Sequence, residues 1–222
     1  MPTKAEVQEH QRAFLDKAKA RTEPIQMTIE GVEIVVEPGV FPPATDTKLL
    51  ASHAKIDPGK EFIDITTGSG VVAVIAGLQG NSGYAVDINS VAVSNAQRNL
   101  DSHKLKAVKP LQSDLFSNVP DGIFDVVFAN GPFFEGEIID PMDYACYGAR
   151  AFTEKLFSQV KDRLSANGQL LIVVSQWAEL DHLEKTASDN NLSAEVIDQR
   201  TSDDGQRNYL LYKVSKKKHS KL

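Results

Sequence analysis

Cysteine, long apolar runs and excess positive charge are all scarce in this chain. Among 222 residues there is one cysteine, Cys146. That excludes a disulfide framework or a cysteine zinc cluster within one chain, and it fits a reducing cytoplasm. No apolar run approaches the ~20 residues needed to span a bilayer, so no membrane association is expected. Residues 1–22 are polar and helix-prone and lack the apolar centre of a signal peptide. With 24 Lys and Arg against 30 Asp and Glu, the net charge is −6, which disfavours a broad nucleic-acid-binding face. The basic run Lys216-Lys217-Lys218-His219-Ser220-Lys221 is the exception, and 216–222 are expected to be a solvated, disordered tail. The five histidines, His10, His53, His103, His182 and His219, lack metal-ligand spacing, so no metal is expected. A Ser-His-Asp pattern and a phosphate-loop lysine motif are also missing.

What remains is an alternation. Apolar runs at 62–66, 83–88, 106–111, 124–129, 169–175, 194–199 and 209–214 read as strands. Helix-period segments at 69–79, 89–101, 150–165 and 177–190 fall between them. Strands alternating with helices predict an α/β fold, a Rossmann-like doubly wound sheet of seven mostly parallel strands. The last two runs are too close for a crossover helix and must form a C-terminal antiparallel hairpin. Ahead of this domain (37–215), residues 1–36 read as an appendage, a cap or a substrate-side element. It comprises an amphipathic helix over 5–20 and two short strands in 26–36. Thr45 or Asp46 is placed to cap the helix that follows.

The run Phe62-Ile63-Asp64-Ile65-Thr66-Thr67-Gly68-Ser69-Gly70 reads as a buried strand, a tight glycine turn and a helix start. Gly68 and Gly70 let backbone turn sharply and approach a ligand, and free N–H groups at the helix start attract negative charge. Asp87 ends the next strand, about 20 residues on, where an acid accepts from ribose hydroxyls. Asn89 is well placed to cap the following helix, which leaves Asp87 for a ligand.

A mostly parallel sheet closed by an antiparallel hairpin resembles the class I S-adenosylmethionine-dependent methyltransferases. Asn130-Gly131-Pro132-Phe133, directly after the fourth strand, resembles the Asn-Pro-Pro-Tyr/Phe motif of members that methylate amino groups on sp2 carbon. Phe41-Pro42-Pro43-Ala44-Thr45-Asp46-Thr47 is similar to the cofactor-capping segment of the small HemK-like glutamine methyltransferases. The resemblance implies an enzyme that uses S-adenosyl-L-methionine and releases S-adenosyl-L-homocysteine. It assigns cofactor contacts to Phe41, Thr47, Asp64, Thr66, Thr67, Gly68, Gly70, Asp87, Ile88, Asp114, Leu115 and Asn130. In it, Ile88 lies on the adenine face and Asp114 accepts from the adenine amino group. Asn130 and the Gly131 carbonyl accept the two N–H bonds of the target nitrogen, Pro132 completes the turn, and Phe133 packs on the substrate. Two positions depart from the family pattern: Thr66 stands where a glycine is usual and Gly131 where the first proline is usual.

The acceptor stays open between a protein glutamine, which is favoured, an RNA guanine or adenine, and a small molecule. A non-catalytic scaffold that kept the fold is a further alternative. The oligomeric state is not fixed by the sequence. The loop 135–148, with its acids and two tyrosines, is expected to close over a polar or cationic acceptor.

Overall fold

The structure, a computed structural model, describes residues 3–217. It begins with α1 (Lys4–Lys19) and a small antiparallel ribbon, β1 (Ile25–Ile29) and β2 (Val32–Val36). Then follow α2 (Thr45–Ser52), β3 (Glu61–Ile65), α3 (Val71–Leu78), β4 (Ser82–Asp87), α4 (Ser90–Ser102), β5 (Val108–Gln112) and β6 (Phe124–Ala129). A 3-10 helix (Pro141–Ala145) precedes α5 (Ala149–Arg163), β7 (Leu164–Ser175), α6 (Leu180–Asp189), β8 (Leu192–Thr201) and β9 (Asn208–Lys216). The main sheet has seven strands in the order β5-β4-β3-β6-β7-β9-β8. Its first five are parallel neighbours, and β9 inserts antiparallel between β7 and β8.

Burial explains the strand pattern. Phe62, Ile63, Asp64 and Ile65 are all buried, so β3 is covered on both faces and its sequence is apolar on both, Asp64 excepted, rather than alternating. Helix α3 is apolar all round for the same reason, with Val71 to Gly77 buried. Gly70, its N-cap, has φ +81°, and a β-carbon there would lie 2.9 Å from Ala96 in α4. This glycine serves helix-to-helix packing.

Several element ends differ from those expected. Strand β7 starts at Leu164, because Leu164 pairs with Phe124 across a register shift. Helix α6 starts at Leu180, because Ala178 closes a turn onto the Ser175 carbonyl. Helix α2 is capped by neither Thr45 nor Asp46. Its N-cap is Ala44, with no side-chain cap bond, and both expected caps lie inside the first turn. Lys216 is the last residue of β9 rather than part of a tail, because it pairs with Leu192 and donates to the Leu164 carbonyl. Lys217 is likewise held, its amide donating to the Asn191 carbonyl at 3.1 Å, and residues 218–222 of the expected tail lie outside the described residues. The appendage is not detached: Val7, Ile29, Ile34 and Val36 join the main core. Among the described residues no helix is long and apolar enough to cross a membrane.

One buried residue of β3 is a carboxyl. Burial and nearby Asp87 push Asp64 up to about 7 from 3.8, against hydrogen bonds from the Thr67 hydroxyl and the Ala73 amide. Between these values the folded chain keeps a proton that the unfolded chain has lost. Asp64 therefore stabilises the fold less as pH rises through that window. Asp64→Asn removes this titration. Denaturant melts from pH 4 to 8 should show the variant gaining on wild type by a few kcal/mol, on the order of two to three pKa units. Parallel stability curves would contradict the assignment.

Candidate functional site

Parallel pairing sets the site. Ile65 of β3 and Ala129 of β6 are register partners, so Thr66 and Asn130 leave the sheet side by side. This is where the chain order reverses about β3, the position at which doubly wound sheets bind ligands. Thr66 has φ +64°, a left-handed conformation unusual for a β-branched residue and costing on the order of 1–3 kcal/mol. Its hydroxyl explains how it is held. Oγ1 contacts the Ile65 carbonyl, lies 3.0 Å from the Asn130 carbonyl, and faces the Asn130 amide at 3.3 Å. The family glycine is thus replaced by a residue that ties the two strand ends together.

Two chambers meet here, sharing Thr66, Asp87, Ile88 and Tyr144. One, of about 110 Å³, is lined by Phe41, Asp46, Thr47, Asp64, Thr67, Gly68 and Asn130. The other, of about 190 Å³, is lined by Asp114, Leu115, Pro132, Tyr147, Phe152 and Lys155. Asp87 accepts from the Gly68 amide at 2.9 Å and the Asn89 amide at 3.0 Å, and burial raises its pKa. Asn89 caps α4 by accepting from the Val91 amide at 3.0 Å, so capping and ligand roles fall on different residues. A β-carbon at Gly68 would meet nothing within 4 Å, so this stretch of backbone faces open space. Asp114 is half-exposed and ion-paired with Lys155.

Asn130 is the most constrained polar group. Its Nδ2 donates to Asp46 Oδ2 at 3.2 Å and to Thr47 Oγ1 at 3.1 Å. An ionised carboxylate can only accept, so the NH₂ end must face Asp46. The other end, Oδ1, is buried and has no partner among the described residues, and neither has Asp46 Oδ1. Asp46 is the residue that sequence reasoning underrated. In the sequence it belongs to the segment that resembles the cofactor cap and is one of two candidate helix caps, and in the fold it reaches across to Asn130.

The rest of the motif divides. Gly131 lies against the α5 ring: a β-carbon there would be 2.2 Å from Phe152 Cε1, so a larger residue needs that ring to move. Pro132 lines the second chamber. The structure does not bring Phe133 to the cleft; it is buried against Tyr209 of β9, with ring centroids 5.9 Å apart. Gly70 likewise stays out of the cleft. The aromatic walls are instead Phe41, Tyr144, Tyr147 and Phe152.

Residues 135–148 lie over the first chamber together with α1. Leu15 and Ala18 of α1 pack on Met142 and Cys146 in a small separate core, joined by Phe41. Lys19 pairs with Asp140 at 2.5 Å and Asp143 at 2.6 Å. Asp143 also accepts from the Ile139 and Asp140 amides at 2.9 Å, which shapes the turn. Gln11, Met142, Tyr144 and Ala145 line the chamber beneath.

Comparison with known proteins agrees with this geometry. The Methyltransferase small domain family matches residues 31–199. A provisionally named protein N5-glutamine methyltransferase of Methanocaldococcus jannaschii is 30% identical over 155 residues, covering 66% of this chain and 78% of that one. A tRNA1(Val) (adenine(37)-N6)-methyltransferase of a Flavobacteriaceae bacterium is 26% identical, covering 69% of this chain and 67% of its own. The solved T. thermophilus 16S rRNA methyltransferase in complex with AdoMet and guanosine superposes with a TM-score of 0.65 at 20% identity. It covers 88% of this chain, and this chain spans 50% of it. A mostly parallel seven-stranded sheet with its cleft at the β3–β6 switch and a family match across most of the chain lead to one conclusion: the protein belongs to the Methyltransferase small domain family and is an S-adenosylmethionine-dependent methyltransferase.

Proposed function

We propose that this methyltransferase is HemK-like and acts on a nitrogen attached to sp2 carbon, the side-chain amide of a protein glutamine. The observation that carries the proposal is the Asn130 carboxamide, pinned by Asp46 and Thr47 with Oδ1 left free. An amide nitrogen is a poor nucleophile because its lone pair is delocalised. Asn130 Oδ1 and the Gly131 carbonyl each accept one of its N–H bonds and turn the lone pair towards the transferred methyl. The same two oxygens stabilise positive charge developing on nitrogen.

The cleft fits the cofactor on its own features: a free-facing backbone at Gly68 and a part-buried carboxyl group at Asp87. S-Adenosylmethionine supplies an electrophilic methyl group when bound. Asp87 takes the ribose hydroxyls, and Ile88 and Leu115 flank the adenine, with Asp114 at its amino edge. Asp64, Thr66, Thr67 and Gly68 hold the amino-acid end under Phe41 and Thr47.

Charge favours a protein acceptor over RNA. The first chamber is lined by Asp46, Asp64 and Asp87 and by no Lys or Arg. Lys155, Lys19 and Arg150 around it are each ion-paired with acids. Ile138, Ile139 and Tyr144 stand exposed at the rim beside Glu135, Glu137 and Asp140. Nucleic acid needs free cations to replace counterions, whereas a polypeptide segment suits an apolar, acidic rim. The glutamine methyltransferase name of the archaeal relative points the same way.

Asn130→Ala, assayed with a glutamine-containing peptide, should lower turnover by roughly 100-fold or more while calorimetry gives an S-adenosylmethionine Kd within about threefold of wild type. Loss of cofactor binding would instead make Asn130 structural. Thr66→Gly should raise the melting temperature by relieving the left-handed strain, yet lower kcat by about tenfold by freeing Asn130. Thr66→Ser, which keeps the hydroxyl, should retain most of kcat. Equal kcat in all three proteins would contradict the clamp.

A further inference from the structure

We infer that Asp46 receives the proton given up by the acceptor nitrogen, its free Oδ1 forming with Asn130 Oδ1 a two-oxygen seat for an amino group. The inference rests on the proposed N-methyl transfer and adds to the motif a residue that the motif does not contain.

Asp46 is 8% exposed, and one of its carboxylate oxygens has no partner. Burying a carboxylate oxygen without a hydrogen bond is costly, and folded proteins seldom do it except where a ligand or a reaction uses the atom. Asp46 has no salt to lean on. Arg207, on the β8–β9 turn, faces it but pairs with Asp204 at 2.9 Å. The other groups around it are Tyr209 of β9, Cys146 beside the 3-10 helix, and Asp64 and Asp87 at the strand ends. None of these is a cation. Oδ2 is already engaged by Asn130 Nδ2, which leaves Oδ1, and Asp46 and Asn130 line the same chamber.

The chemistry needs such a group. The nitrogen lone pair forms the new N–CH₃ bond while the C–S bond breaks, and that electron pair remains on sulfur as a neutral thioether. The nitrogen is left positive and more acidic, and its proton passes to Asp46 Oδ1, which becomes a neutral acid and later returns the proton to solvent. Gln11 of α1 and Pro141, Met142, Tyr144 and Ala145 of the 135–148 segment wall this chamber, and an acceptor inside it receives the proton without a path to bulk water. Burial raises the pKa of Asp46, which makes it a stronger proton acceptor than an exposed carboxylate.

The seat can be tested without knowing the acceptor. Sinefungin is the cofactor analogue in which an amine-bearing carbon replaces the methylsulfonium; S-adenosylhomocysteine lacks that amine. By calorimetry at pH 8, wild type should bind sinefungin about tenfold or more tightly than S-adenosylhomocysteine, because charge-assisted hydrogen bonds are the strong ones. Asp46→Asn should remove most of that preference and leave the S-adenosylhomocysteine Kd within about threefold. In wild type alone, which needs no variant to fold, the preference should fall as pH drops below the raised Asp46 pKa, since a neutral acid no longer attracts ammonium. A preference unchanged in Asp46→Asn and flat from pH 5 to 8 would overturn the inference while leaving the proposed function standing. Failure of wild type to bind either ligand would overturn both.

Discussion

The alignment of β3 with β6 is the constraint on which the site depends. Because Ile65 and Ala129 are partners in a parallel pair, the residues after them, Thr66 and Asn130, emerge in contact. The Thr66 hydroxyl fixes the Asn130 backbone, and Asp46 and Thr47 of α2 fix its carboxamide. Backbone and side chain are thus held by different parts of the chain, and what remains free is one oxygen. Methyl transfer to a weak nucleophile requires just such pre-set geometry, because reorganising acceptors during the reaction would add to the barrier.

Around this centre the structure separates tasks that a motif description merges. Gly68 presents backbone to open space, whereas Gly70 packs against Ala96. Asn89 caps α4, which leaves the Asp87 carboxylate at the cleft with a backbone donor on each oxygen. The cover over the first chamber has its own small core and the Lys19 pairs in addition to the contact of Val7 with the main core. Its acids and the exposed side chains of Ile138, Ile139 and Tyr144 lie together on this cover.

Much of the fold was legible because strands buried on both faces read as continuous apolar runs, and helix-period segments separate them. The hairpin was legible from a gap too short for a crossover. The site was less so, since three of its features depend on contacts distant in sequence. In the sequence Thr66 is only a departure from the usual glycine, because the hydroxyl clamp to Asn130, 64 residues away, exists only once β3 and β6 pair. In the sequence Gly131 is only a departure from the usual proline, while in the fold the Phe152 ring on α5 lies against it. Asp46 matched the local chemistry of a helix cap, yet its partner lies 84 residues on. Phe133 was assigned to the substrate by resemblance, and Tyr209 from the last strand claims it instead.

The central claim is that the cofactor's reacting centre lies against the free oxygen of Asn130. A crystal structure with S-adenosylhomocysteine tests it most directly. The account predicts ribose hydroxyls on Asp87, the sulfur beside the Thr66–Asn130 contact, and Asn130 Nδ2 still turned to Asp46. A ligand seated away from Asp87, or a carboxamide with its NH₂ turned towards the sulfur, would contradict it.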